Sequence, residues 1–100
     1  MIRIGPIYFK VDDIHNLFDG NKKLDGRINY TTATIQLDAE MCPQTRNQTL
    51  LHEIVHGVAT QLGFPALDED LVDRIAYAAY QVIRDNPEFI KQLLHKERAK

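Results

Sequence analysis

One hundred residues are enough for a single small domain with one core, and an apolar fraction of 44% suits a globular fold. The net charge of −2, with no basic face and no helix-turn-helix pattern, gives no reason to expect nucleic acid or an anionic membrane as a partner. A lone cysteine, Cys42, excludes an internal disulfide; no long apolar run marks a signal peptide or a membrane span, so a cytoplasmic location is expected.

Ile2 and Ile4, then Ile7, Phe9 and Val11, alternate with other residues, and Gly5-Pro6 breaks the parity between them. This predicts one strand, or two short ones with a kink between them. Asp12 to Phe18 is expected to make one or two helical turns, with Ile14, Leu17 and Phe18 on one side and His15 as a surface or packing residue. Asp19 to Gly26 reads as a polar loop bounded by glycines. Arg27–Thr31 and Thr34–Asp38 are rich in β-branched residues and alternate apolar with polar, which predicts an antiparallel hairpin across Thr32-Ala33. Ile28 and Tyr30 would share a face with Ile35 and Leu37, and that face would cover the helix that follows.

That helix is expected over 42–62. Pro43 suits the first helical position, Gly63 suits a left-handed cap, and Phe64-Pro65 blocks continuation. Cys42 just precedes it, where the helix dipole could lower its pKa, although a small packing role fits it better. Asp68 can cap a second helix whose first turn is acidic, and Leu71, Val72, Ile75, Ala76, Ala78, Ala79, Val82 and Ile83 give that helix a broad apolar face. Asn86-Pro87 ends it and opens a last helix, so the C-terminal helices span 68–97 before a charged tail.

The first helix carries the chemistry. Thr49-Leu50-Leu51-His52-Glu53-Ile54-Val55-His56 contains His-Glu-x-x-His. Residues four apart share a helix face, so His52 and His56 can grip one Zn²⁺, and Glu53 beside them can act as general base towards a water activated by the metal. Chance is a poor alternative, because Leu50, Leu51, Ile54, Val55, Gly57 and Val58 keep the surroundings uncharged, as a half-buried zinc helix requires. A catalytic zinc needs a third protein ligand. The metzincin pattern would put glycine and histidine where Ala59 and Leu62 stand, which excludes it. A carboxylate on the second helix remains: Asp73, which sits within the helix and would need a partner there, ahead of Glu69 and Asp70. Tyr77 and Tyr80 lie on that helix and could face the metal, though packing explains them as well.

In these features the chain resembles the minimal zincin-type metallopeptidases of the ImmA/IrrE class, in particular short members carried by phages and mobile elements. The residues that carry the resemblance are Gly26-Arg27-Ile28-Asn29-Tyr30, Thr34-Ile35-Gln36-Leu37, the His52–His56 motif, Asp73-Arg74-Ile75-Ala76 and Asp85-Asn86-Pro87. The class usually has glutamate ahead of Ala-Asn as third ligand; aspartate and Ala76-Tyr77 stand at those positions here, which keeps Glu69 open. The resemblance implies an α+β zincin-like domain over 1–100, with a strand-rich half over 1–40 and a small antiparallel sheet of about three strands packed on the motif helix and a ligand-bearing helix. It also implies hydrolysis of peptide bonds in a protein or peptide substrate, such as a regulatory protein. The alternative reading is a non-catalytic, zinc-stabilised module that binds a protein partner. No pattern in the chain sets an oligomeric state.

Overall fold

In the computed structural model, which describes residues 1–95, Gly5 takes a positive φ and folds β1 (Ile2–Ile4) back on β2 (Ile7–Ile14) as an antiparallel pair. Two strands, not one, come from the Gly5-Pro6 break. β2 is longer than expected. Its second half, Lys10–Ile14, runs parallel to β6 (Thr34–Asp38), with Val11 opposite Ile35 and Asp13 opposite Leu37. The helical turns expected from Asp12 onward therefore do not form up to Ile14, because the backbone there is committed to the parallel ladder.

Residues 19–26 are not a plain loop. β3 (Phe18–Asp19) and β4 (Lys22–Lys23) form a small antiparallel ribbon, and Lys23 Nζ holds it 3.4 Å from the buried Asp38 carboxylate. β5 (Gly26–Asn29) then pairs antiparallel with β6, Ile28 opposite Ile35. The main sheet has the order β1-β2-β6-β5. It has four strands and is mixed, where about three antiparallel strands were expected. The cause is that β6 pairs with its hairpin neighbour β5 on one side and with the distant β2, in parallel, on the other.

One face of this sheet is the core. Ile4, Phe9, Ile35 and Leu37 are buried, and Leu50 and Ile54 of α1 (Pro43–Gln61) pack against them. The expected cover of the motif helix by the hairpin face is what the chain makes. Pro43 opens α1, and the helix closes as a Schellman turn: Gly63 has φ +83°, its N–H donates to Thr60, and the Phe64 N–H donates to Ala59. The chain reverses there into α2 (Glu69–Asp85), capped by the Asp68 side chain accepting from the Asp70 N–H at 3.1 Å, and α3 (Pro87–Leu94) follows. The expected helix end at 97 and the charged tail beyond His95 lie outside the described residues. No helix among the described residues is long and apolar enough to cross a membrane.

The fold is α+β, as expected, with α1 between the sheet and α2. Gly57, buried one residue after the second motif histidine, sets how closely α1 lies on the sheet. A Cβ at this position would stand 2.7 Å from Ile4 Cδ1 and 3.2 Å from Ile28 Cδ1. Gly57→Val should therefore destabilise the protein by about 1–3 kcal/mol through overpacking, read as a lowered midpoint in urea unfolding at unchanged slope.

Candidate metal centre

The turn at Gly63 brings α2 back antiparallel to α1, so the first residue of α2 lies level with the last turns of α1. Glu69 meets His56, and Asp73, one turn further on, meets His52. His52 Nε2 and His56 Nε2 are 3.2 Å apart, and Glu69 Oε2 stands 2.7 Å from the first and 3.2 Å from the second. Three donor atoms on two helices thus converge on one point, and His52, His56 and Glu69 are a group able to hold a metal ion.

Two of the triangle's three edges have the length expected between ligands of one tetrahedral metal ion. Ligand atoms at about 2.0–2.1 Å from a tetrahedral ion lie about 3.3 Å from one another. Two edges match closely. The shorter one, between His52 and Glu69, has hydrogen-bond length, and the Glu69 side chain is exposed enough to shift outward on binding. The donor chemistry fits as well. With each imidazole protonated at Nδ1, both Nε2 lone pairs and the carboxylate are acceptors, a donor set that suits a cation.

Asp73 does not share the point where these atoms meet. Its Oδ1 lies 3.0 Å from His52 Nδ1, on the far side of the ring. A carboxylate there accepts the Nδ1–H, fixes the tautomer and keeps Nε2 free for a metal. The reason to expect Asp73 as the ligand was that a carboxylate inside the helix would need a partner, but its side chain is exposed. The longer Glu69 reaches both Nε2 atoms, and the antiparallel register alone would have favoured it. Asp70 lines a separate cavity with Gln48, Asp73, Arg74 and Tyr77.

Glu53 lies on the sheet-facing side of α1 and is only 6% exposed. Burial pushes its carboxyl above the ordinary value, the charges of His52 and His56 pull it partly back, and Glu69 adds to the rise. On His52, burial disfavours the charged ring, but the Asp73 and Glu69 hydrogen bonds outweigh it and raise the pKa. Burial also pushes Glu69 upward, but the His56 and His52 hydrogen bonds prevail and hold it below the ordinary range.

A cavity of about 470 Å³ opens over the triangle, lined by His52, Glu53, His56 and Glu69 on one side and by Lys22, Leu24, Gly26–Ile28 and Tyr30 on the other. The tyrosine at the site is therefore Tyr30, whose hydroxyl accepts from Thr60 Oγ1 at 3.0 Å. Tyr77 and Tyr80 line other surfaces, with Gln44, Gln48 and Arg84. Sequence reasoning placed Tyr30 on the correct face but attached no role to it, and it missed Lys22 and Arg27. Alternation along Ile28 and Tyr30 was the available signal for the first; nothing local signalled Lys22, which the unexpected ribbon carries in. His15 is a surface residue paired with Glu40, 2.7 Å between Nδ1 and Oε1. Cys42 is exposed at the start of α1, not packed, and a hydrogen bond with Thr45 lowers its pKa. Comparison with protein-family models, with curated proteins and with solved structures returns no match.

Two outcomes are expected. Glu69→Ala should abolish stoichiometric zinc uptake, whereas Asp73→Asn should weaken it about 10- to 100-fold, both read by competition against a chromophoric chelator. In the metal-free protein, the raised His52 value means that its imidazolium contributes stability fully below the unfolded pKa of about 6.5, and that this contribution is lost as pH rises through the folded value. An NMR titration of the His52 ring should give a midpoint above the ordinary one, and Asp73→Asn should lower it.

Proposed function

We propose that this chain is a zinc-dependent peptidase in which His52, His56 and Glu69 hold the metal, Asp73 positions His52, and Glu53 is the general base. The observation that carries the reading is the three-atom triangle on the His-Glu-x-x-His helix, open to a cavity that also contains Glu53. The chemistry supplied by zinc at such a site is Lewis-acid activation of a water and of a carbonyl.

The residues of the chain supply the rest. Glu53 accepts the proton of the attacking water and returns it to the leaving amine. Its burial supports this role, because a carboxyl shifted upward holds a proton more readily near neutral pH than an exposed one. β5 is one of the two edge strands of the main sheet and lines the same cavity, so its outer edge can hold an extended peptide by main-chain hydrogen bonds above the triangle. Lys22 and Arg27 place positive charge on the wall facing Glu53 and Glu69. The α+β arrangement, with the motif helix between a small sheet and an antiparallel ligand-bearing helix, agrees with a minimal zincin of the ImmA/IrrE class. On that reading the substrate is a regulatory protein of a phage or mobile element, cut in the cytoplasm.

The test uses the zinc-loaded protein on a quenched-fluorescence peptide library. Cleavage should be lost on chelation and restored by zinc. Glu53→Gln should retain one zinc per chain and lose about 10²- to 10⁴-fold in rate. A Glu53→Gln protein that cuts as fast as the wild type would remove the general base from the account. Stoichiometric zinc with no cleavage by the wild type would favour the zinc-stabilised binding module.

A further inference from the structure

α2 carries two apolar faces, and the described residues of its own chain cover one. Val72 and Ala76 are buried against α1 and Ala79 is half-buried. Leu71, Ile75, Ala78 and Val82, spaced i, i+4, i+7 and i+11, form a second stripe that is exposed along its length. At its amino-terminal end, Leu71 and Ile75 border a groove of about 420 Å³ closed by Val58, Leu62 and Phe64, with no polar side chain in its lining. At the other end, α3 has no buried residue, and Leu93 and Leu94 are 62% and 79% exposed.

Across groove, stripe and α3, Leu62, Phe64, Leu71, Val82, Leu93 and Leu94 are between 46% and 79% exposed, more large apolar side chains in one region than a monomer ordinarily leaves bare, and the kind of surface from which an interface of about 800 Å² per partner is built. The surface also contains both halves of a contact. Among the described residues, α3 is a short amphipathic helix with no buried residue, and no side chain fills the apolar trough of the groove. They cannot meet within one chain. α2 is about 25 Å long and α3 about 12 Å, so α3, starting from the far end of α2, falls short of the groove even if folded back.

We infer that this surface joins two copies of the chain in a two-fold dimer, α2 lying antiparallel on α2 of the second copy and each α3 filling the other copy's groove. Reversal of the second α2 places its α3 beside Phe64, Leu67 and Leu71. Ala78, near the middle of α2, lets the two helix axes approach closely. Arg74 and Asp85 lie on the same margin of the stripe, and the antiparallel arrangement sets Arg74 of one copy beside Asp85 of the other, twice by symmetry. Among the described residues of its own chain Asp85 accepts only a loose 3.4 Å contact from Arg84 Nε. The groove shares no residue with the cavity over the metal triangle, so dimerisation leaves that cavity open and the inference stands independently of the proposed activity.

Sedimentation equilibrium of the full chain across the micromolar range, with circular dichroism as the check on folding, tests this. The wild type should show the mass of two chains, and Ala78→Arg the mass of one. Arg74→Glu and Asp85→Arg should each weaken the dimer about tenfold, and the double exchange should restore it. A wild type of single-chain mass up to about 100 μM would overturn the inference and leave the groove to a helix of another protein. So would a dimer indifferent to both Ala78→Arg and the charge exchange.

Discussion

The antiparallel register of α1 and α2 is the constraint on which the rest depends. It is set by the turn over Leu62, Gly63 and Phe64, where a positive φ at Gly63 allows two backbone hydrogen bonds to close the end of α1. With that reversal, Glu69 stands level with His56 and Asp73 with His52. One residue of slip would turn each carboxylate by about 100° around the helix and away from its histidine. The contact between the two helices holds this register with small side chains, Val72 and Ala76, which let the helices approach closely enough for a glutamate to span both imidazoles.

The other side of α1 is constrained by the sheet. Glu53 and Gly57, four residues apart, both point at it. Gly57 allows the close approach, and the approach buries Glu53. A buried carboxylate is unfavourable in a core whose buried apolar members among the described residues are only Ile4, Phe9, Leu17, Ile35, Leu37, Val72 and Ala76. Such a cost has a use if the carboxylate must exchange a proton near neutral pH beside two imidazoles. A metal bound to His52, His56 and Glu69 would also tie α1 to α2 and add folding free energy to this small core.

Much of this was legible in the residues. Local signals with a mechanism behind them, such as Pro43 at the head of α1, Gly63 at its end, the Asp68 cap and the alternation in Ile28, Ile35 and Leu37, mark elements that the structure contains. What failed is non-local. The parallel pairing of β2 with β6 extends a strand through Asp12-Asp13, where composition argues against one, because a ladder partner arrives from more than twenty residues away. The ribbon at Phe18–Lys23 owes part of its position to Lys23 reaching Asp38, again a distant contact. The His52–His56 pair follows from helical spacing alone, but choosing among Glu69, Asp70 and Asp73 needs the register of two helices. The exposed stripe on α2 illustrates the same limit: periodicity marks Leu71, Ile75 and Val82 as apolar-face residues without saying what covers them.

The most direct test of the central claim is a crystal of the zinc-loaded protein with diffraction measured on both sides of the zinc absorption edge. The account predicts one strong anomalous peak within about 2.0–2.2 Å of His52 Nε2, His56 Nε2 and a Glu69 carboxylate oxygen, with Asp73 still bonded to His52 Nδ1. A peak bound to Asp73 in place of Glu69, or zinc found only at surface sites such as His15 or Cys42, would contradict it.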